Sequence, residues 1–211
     1  MVSLPAPNPK AFMTQTHSIT HSLLPVFDKS GQEYCFNCAV EEHQTRAYNL
    51  ASYMLGDWAL AEDATQEAFL SAFRAFKGFR GQNLAAWLMR IVANTCRDML
   101  RAKKSRPSQP LDSLPSDPED PVASSTASPE SQTLSSELRE AIHKGLDTLA
   151  EDQRLAIVLI DIEGFSYEEA SQTMDTSLGT VKSRLSRGRA ALRDYLRTQR
   201  ELLPPSFRQE R

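Results

Sequence analysis

The sequence predicts an all-α protein of two small helical domains joined by a flexible linker. Two long stretches of the 211-residue chain repeat apolar residues at helical spacing, and neither shows the alternation of a strand. Between them lies a segment rich in proline, serine and acids, which cannot bury a core. The predicted units are a disordered arm at 1–32, a first domain at 33–105, a linker at 106–133, a second domain at 134–198 and a tail at 199–211.

Composition limits the class of protein. The chain is 40% hydrophobic and 24% charged, as soluble globular proteins are. It has no apolar run of roughly 18 residues, so we expect no membrane insertion and a cytoplasmic location. The net charge of -3 averages basic and acidic segments, and nucleic-acid binding follows the local field of a patch. The acidic balance predicts that the free protein binds DNA poorly unless a partner positions it.

Three helices are predicted in the first domain, after an arm with a short helix near 23–27. The first helix carries apolar residues at Val40, Ala47, Leu50, Ala51 and Met54. Gly56 ends that helix and Asp57 caps the next one. The second helix has its apolar stripe at Ala61, Ala64, Ala68, Phe69, Ala72, Phe73 and Phe76. The third helix has its stripe at Leu84, Trp87, Leu88, Ile91, Val92, Thr95 and Leu100.

The second domain ends in two helices joined by a tight turn. Helical pattern returns at Leu134, and Gly164 ends a helix just before Ser166. Ser166 and Glu169 have the spacing of a capping box, and a turn at 175–177 precedes the last helix. The polar face of that helix is basic from Thr180 onward and contains no acid as far as residue 193. A solvated surface is one interpretation, but the two caps and the turn favour a helix that lies in a groove of DNA.

Three motifs resemble one known family. Residues 56–69, 79–94 and 179–192 resemble, in this order, the polymerase-binding helix, the promoter-melting and −10 segment, and the −35 reader of extracytoplasmic-function (ECF) sigma factors of the sigma-70 family. The resemblance covers roughly 35–196. It implies two domains, sigma region 2 and sigma region 4, which bind core RNA polymerase through its largest and second-largest subunits and recognise promoter DNA. It also implies an anti-sigma partner and no catalytic residues, cofactor or metal.

The resemblance places the functional residues in three groups. It assigns polymerase binding to an acidic helix face at Asp63, Gln66 and Glu67, since i, i+3 and i+4 positions share a face. It assigns −10 DNA binding to Arg80, Asn83, Asn94, Arg97 and Arg101. Within that group the amide of Asn94 suits a base edge, and the arginines suit phosphates. It assigns −35 DNA binding to Ser177, Thr180, Lys182, Ser183, Arg184, Arg187 and Arg189.

Several alternatives stay open at this point. Trp87 fits a core position better than a stacking platform for bases. Cys35 and Cys38 have CxxC spacing, which occurs in zinc and redox sites, but other ligands are scarce and burial of two small side chains is favoured. The arm binds a regulator, covers the DNA-binding surface, or precedes a true start at Met13. A conventional helix-turn-helix regulator is the alternative function, and no pattern of an enzyme site is present.

Overall fold

The computed structural model describes residues 25–27, 33–80, 83–105, 129–199 and 201. Within these ranges the chain forms seven α-helices, which confirms the all-α class, and one pair of very short strands. Strand β1 (Pro25–Phe27) pairs antiparallel with β2 (Glu33–Cys35), and Val26 lies opposite Tyr34. The predicted short helix near 23–27 is therefore wrong over 25–27. Helix nucleation is unfavourable in so short a segment, and β-branched Val26 favours an extended backbone.

The first three helices form one bundle: α1 (Phe36–Leu55), α2 (Trp58–Phe76) and α3 (Leu84–Ser105). The predicted boundary between α1 and α2 is confirmed. Gly56 ends α1 with φ of 67°, a left-handed conformation that glycine adopts without a steric penalty. The side chain of Asp57 then accepts a hydrogen bond from Leu60 N at 3.1 Å and satisfies a free amide at the start of α2.

The buried faces of α2 and α3 differ from the predicted stripes. On α2 the buried residues are alanines and Phe76, while Phe73 is 48% exposed. Alanines let neighbouring helices approach closely, so the larger rings lie at the edge of the contact. On α3 the buried face is centred on Met89, Val92 and Cys96, and the predicted core residue Trp87 is only partly buried. The positions of the helices along the sequence were therefore predicted better than the residues that each helix buries.

The second bundle contains α4 (Pro129–Asp147), α5 (Glu151–Ile157), a π-helical turn (Val158–Ile162), α6 (Tyr167–Met174) and α7 (Leu178–Thr198). Helix α4 begins at Pro129, inside the segment predicted as linker and before the predicted start at Leu134. Proline fits the first turn of a helix because the amide that it lacks has no partner there. The rest of the predicted linker, 106–128, lies outside the described residues, as do 1–24 of the arm.

The predicted helix-turn-helix is confirmed in detail. Glu169 N donates to Ser166 Oγ at 3.2 Å, and Ser166 N donates to Glu169 Oε2 at 2.9 Å, which completes the capping box. Asp175 adopts a left-handed φ of 52° between α6 and α7. Ser177 then caps α7 by accepting from Thr180 N at 3.2 Å. These local bonds define the start of α6, the turn and the start of α7.

The two bundles also pack directly on each other. Buried side chains from both belong to one continuous apolar core, in which Met54 and Val92 of the first bundle join Leu155 and Met174 of the second. Two buried hydrogen bonds cross the contact. Arg154 donates to Met54 O at 2.7 Å, and Thr173 Oγ1 donates to Ala86 O at 3.3 Å. This packing of one bundle on the other was not predicted from the sequence.

Gly188 generates a prediction about the packing of α5 against α7. A Cβ on Gly188 would lie 2.9 Å from Ile157 Cδ1 and 3.1 Å from the carbonyl oxygen of Gln153. Gly188→Ala should therefore lower the free energy of unfolding by about 1–3 kcal/mol, measured by urea titration. Gly179→Ala is the matched control, because its nearest neighbour would be Ser177 Oγ at 3.9 Å. It should leave stability unchanged or raise it by up to about 1 kcal/mol through helix propensity. Equal effects of the two substitutions would contradict this account.

His43 generates a prediction about pH. It lies buried on α1, and burial lowers the pKa of its imidazole. Because the unfolded chain takes up the proton more readily, the stabilisation from neutral His43 is present above its unfolded pKa of about 6.5 and is lost as pH falls through the folded pKa. His43→Gln should therefore reduce the loss of stability between about pH 7.5 and about pH 5.5.

Urea titrations at the two pH values measure this effect as a difference from the wild-type chain. Glu41→Gln is the control, because it removes an exposed acid from the same helix that does not act on the His43 imidazole. The control should lose as much stability on acidification as the wild type does. An identical loss in His43→Gln would show that His43 does not carry the dependence.

Candidate nucleic-acid and polymerase interfaces

Helix α2 presents an acidic face bordered by apolar side chains. Asp63, Gln66 and Glu67 are all exposed, and Gln66 Nε2 donates to Glu62 Oε1 at 3.3 Å. Leu70 is 57% exposed and Phe73 48% exposed, one and two turns further along the same face. Acids beside exposed apolar side chains suit a basic amphipathic helix of another protein. The sequence prediction missed Leu70 and placed Phe73 in the core. The seven-residue spacing between Gln66 and Phe73 could have shown that these two residues share one face of α2.

Two of the predicted −10 residues lie near the start of α3, where each already has a partner. Arg80 is exposed and donates to the carbonyl oxygens of Lys77 at 2.8 Å and Phe79 at 2.7 Å. Asn83 accepts from Ala86 N at 2.8 Å, so its side chain satisfies an amide of the first turn of α3. The amide nitrogen of Asn83 donates in turn to Glu169 Oε1 at 3.0 Å. Asn83 thus has a structural role that was not predicted.

The other three predicted −10 residues lie along α3 and differ in exposure. Asn94 is exposed, and its side-chain oxygen Oδ1 accepts a hydrogen bond from the Arg97 guanidinium at 3.3 Å. Arg101 is exposed and paired with Asp98 at 3.1 Å. The side chain of Arg97 is only 17% exposed and pairs with Asp152 of α5 at 2.9 Å. Asn94 and Arg101 are therefore accessible to DNA, whereas Arg97 is covered by the second bundle.

The predicted −35 residues occupy the first three turns of α7. Ser177, Thr180 and Ser183 bond among themselves, with Ser177 Oγ 2.9 Å from Thr180 Oγ1 and Ser183 Oγ donating to Thr180 O at 2.9 Å. Arg187 is exposed and donates to Ser183 Oγ at 3.3 Å. Lys182 is exposed, and its Nζ lies 5.6 Å from the centre of the Tyr167 ring. The Ser177–Thr180 and Ser183–Arg187 contacts are exposed, so water or a ligand can replace them at little cost.

The remaining two −35 residues are held by acids of the second bundle. Arg189 forms a two-bond pair with Asp161, which belongs to the π-helical turn. Arg184 is 27% exposed and lies 2.6 Å from Asp152 Oδ2. Asp152 also holds Arg97 through its other oxygen. A single carboxylate therefore joins one cation of the predicted −10 surface to one of the predicted −35 surface.

Two further cations of α3 join this contact and were not among the predicted site residues. Arg90 lies 2.7 Å from Asp175, and its Nε donates to the carbonyl oxygen of Gln172. Lys104 lies 2.6 Å from Glu151. The sequence held a signal for both, because Asn83, Arg90, Arg97 and Lys104 follow one another at intervals of seven residues. Seven residues are two helical turns, so these positions share one face of α3.

The cysteines are thiols. Cys35 and Cys38 are half-buried at the junction of β2 and α1, and Cys96 is buried in α3. Burial raises the pKa of Cys38 to about 11, to which its bond with the neighbouring Cys35 adds, and burial raises that of Cys96 to about 12. Among the residues that the structure describes, no three histidines, cysteines or acids are grouped to hold a metal ion. None of the described helices is both long and apolar enough to span a bilayer.

The described residues form two helical bundles, the second of which ends in a helix-turn-helix. Comparison with family models identifies the two parts. Residues 39–106 match Sigma-70 region 2, and residues 139–192 match Sigma-70, region 4. Together the two matches cover more than half of the 211 residues.

Comparison with curated proteins gives the same family. The chain is 39% identical over 174 residues to the ECF RNA polymerase sigma factor SigE of Mycolicibacterium smegmatis, covering 81% of this chain and 66% of that protein. It is 34% identical over 183 residues to the ECF RNA polymerase sigma-E factor of Escherichia coli K12, covering 84% and 94%. The chain belongs to the ECF sigma factors of the sigma-70 family, and the predicted family is confirmed. Its class is therefore that of promoter-specific initiation factors of RNA polymerase.

Two solved structures of similar fold are complexes with a second protein. One is the sigma factor RpoE with the anti-sigma factor NepR from Bartonella quintana, with a TM-score of 0.61, 28% identity and coverage of 76% of this chain and 96% of that one. Another is CnrH with the cytosolic domain of CnrY, with a TM-score of 0.56, 25% identity and coverage of 76% and 86%.

Proposed function

We propose that this chain binds core RNA polymerase, brings it to promoters by contacting the −35 element with α7 and the −10 element with the first bundle, and helps to open the DNA. The observation that carries the proposal is the capped α7, whose exposed polar face bears Lys182 and Arg187 and no acid in its first three turns. The chain supplies recognition and the polymerase supplies the chemistry. Its place of action is the cytoplasm, where polymerase and chromosome lie.

The proposed −35 contacts follow from position on α7. Thr180, Ser183, Arg184 and Arg187 share one face and approach base edges, whereas Lys182 and Arg189 are offset around the helix and approach phosphates. The amides freed at the start of α7 beside Ser177 offer a further phosphate site. Arg184 reaches DNA only after it leaves Asp152. Lys182 and Arg187 are thus free to approach DNA, whereas Arg184 is held by Asp152 and Arg189 by Asp161.

The proposed −10 contacts divide into accessible and covered groups. Asn94 is exposed on α3, and its amide can pair with a base edge of the opened strand. Arg101 and Arg80 are exposed and lie where phosphates would approach. Asn83 and Arg97 become available only when the second bundle moves away. Full engagement of the −10 element therefore requires separation of the two bundles.

The proposed protein partners use other surfaces. The acidic face of α2 at Asp63, Gln66 and Glu67, extended by Leu70 and Phe73, is the docking site for a basic helical element of the largest polymerase subunit. Further contacts are to the second-largest subunit. An anti-sigma factor is a second partner, because the similar sigma factor RpoE was solved in complex with the anti-sigma factor NepR.

Run-off transcription tests the proposed function. Purified core RNA polymerase is assayed with and without the chain on a library of promoter fragments. Chain-dependent transcripts from fragments that share two spaced elements would support initiation by this chain. DNA binding without any chain-dependent transcript would instead support a conventional helix-turn-helix regulator. If the chain showed neither chain-dependent transcription nor DNA binding, even after removal of residues 1–24, both proposals would be wrong.

Arg187 generates a prediction about −35 recognition. If its guanidinium reads a base, Arg187→Ala should weaken promoter binding by the polymerase complex by about 1–3 kcal/mol, and the loss should shrink when the −35 base it reads is changed. Arg193→Ala is the matched control, because Arg193 lies on the same helix beyond the proposed contact face and pairs with Asp194 at 3.2 Å. Electrophoretic mobility shift with variant promoters measures both. An equal loss on every sequence would make Arg187 a phosphate contact.

The acidic face of α2 generates a prediction about polymerase binding. Asp63→Ala/Glu67→Ala should weaken the affinity for core polymerase about tenfold or more, because each charge-assisted bond is worth about 1.5–3 kcal/mol. Glu41→Ala/Glu42→Ala, which removes two exposed acids from α1, is the charge-matched control. Competition against a labelled sigma factor measures the affinity, and circular dichroism shows that each variant folds. Similar affinities for the two double variants would place the docking site elsewhere.

A further inference from the structure

One face of α3 carries a regular row of donor side chains. Asn83, Arg90, Arg97 and Lys104 stand two helical turns apart, so the row runs along the helix axis with a spacing of about 10.5 Å. We call this row the α3 donor row. All four side chains donate hydrogen bonds, and three of them are cations. A row of this kind suits a ligand with repeated negative groups.

Each member of the α3 donor row holds an acid of the second bundle. The four acids lie on α5, on α6 or directly after α6, and all of them are within hydrogen-bond distance. The pairs are Asn83 with Glu169 at 3.0 Å, Arg90 with Asp175 at 2.7 Å, Arg97 with Asp152 at 2.9 Å, and Lys104 with Glu151 at 2.6 Å. The row is therefore occupied along its whole length by carboxylates of the same chain.

One of the four acids also holds the DNA-reading helix. Asp152 Oδ1 pairs with Arg97 and Asp152 Oδ2 pairs with Arg184 of α7 at 2.6 Å. A phosphate group would be recognised by the same guanidinium groups through the same two-oxygen geometry. Asp152 thus pairs with one cation of the proposed −10 surface, Arg97, and with one cation of the proposed −35 surface, Arg184.

We infer that the α3 donor row is a binding track for DNA phosphates, and that Glu151, Asp152, Glu169 and Asp175 occupy it in the free chain in place of those phosphates. DNA and the second bundle then compete for the same side chains. This inference rests on the proposed function for its DNA ligand, but the ion pairs that carry it are independent of any promoter sequence. Its consequence is a closed free chain that binds DNA weakly until polymerase separates the two bundles.

The strength of the closed contact fits a state that a partner can open. The side chains of Arg90 and Lys104 are 37% and 72% exposed, and exposed ion pairs contribute little and are screened by salt. Apolar contacts and the buried Arg154 supply the rest of the contact. Arg154 Nε has no partner among the described residues, so even this buried tie is incompletely satisfied. The acids therefore block the donor row and also add to the modest adhesion between the bundles, so that removing them loosens the contact.

Two conservative variants of the full chain test the competition. Asp152→Asn removes the charge that holds Arg97 and Arg184. Asp175→Asn removes the charge that holds Arg90, and asparagine tolerates the left-handed backbone of that position. Asp98→Asn is the matched control, because it removes one exposed acid from α3 and releases Arg101 without touching the second bundle. The probe is a fluorescent duplex of random sequence, so the measurement does not depend on finding a promoter.

The expected result is a gain in DNA affinity beyond the control. Each single variant should bind the duplex about two- to fivefold more tightly than Asp98→Asn does, and the double variant about tenfold more tightly, at low salt. Small-angle X-ray scattering should show a larger radius of gyration for the double variant than for the control. Affinities equal to the control, or a gain in affinity with no change of radius, would overturn the inference.

A second pair of variants tests the track itself in the polymerase complex. Arg90→Gln/Lys104→Gln should weaken DNA binding by the complex about tenfold and reduce the salt slope by about two, because two phosphate contacts are lost. Arg74→Gln/Lys144→Gln, two exposed cations away from α3, is the control. An unchanged affinity would mean that the α3 donor row binds only the second bundle and not DNA. Run-off transcription by the wild-type chain reports separately on the proposed function, so either idea can fail alone.

Discussion

The arrangement of the whole molecule depends on Arg154, which joins the two bundles from within the core. It lies almost fully buried on α5, donates to Met54 O at 2.7 Å and pairs with Asp147 at 2.8 Å. Burial lowers the pKa of its guanidinium, which records the cost of removing that charge from water. The carbonyl of Met54 belongs to the last turn of α1, where carbonyls have no partner within the helix. Arg154 therefore satisfies the end of α1 with a side chain of another bundle.

Other features at this junction are arranged around that contact. Gly56 turns the chain immediately after α1, and a Cβ there would lie 3.1 Å from a carboxylate oxygen of Asp147. The Tyr53 and His143 rings stack at 4.6 Å, and the Arg46 guanidinium lies 5.3 Å from the centre of the Phe165 ring. Glu163 is buried nearby, and burial raises the pKa of its carboxyl. Arg154 and Glu163 are thus buried at the junction, whereas their partners Asp147 and Arg46 stay about half exposed.

How much the sequence revealed follows from the range of each interaction. The ends of α1 and α7 and the capping box at Ser166 were predicted correctly, because each depends on side chains a few residues apart. The buried faces of α2 and α3 were only partly correct, since alanine stripes leave the facing direction to the neighbouring helices. Arg154 could not be predicted, because its main partner is a backbone carbonyl 100 residues away. The roles assigned to single residues in DNA and polymerase binding stay predictions.

Charge explains why closure and DNA binding use the same side chains. A chain of net charge -3 that must approach a polyanion needs concentrated cations, and α3 and α7 supply them. Left exposed, two such surfaces on adjacent bundles would repel each other. Carboxylates at 151, 152, 169 and 175 neutralise that repulsion, so the bundles can share a core. Under the proposed competition, the acids that let the two bundles share a core are also the groups that DNA must displace, and weak DNA binding by the free chain is the expected result.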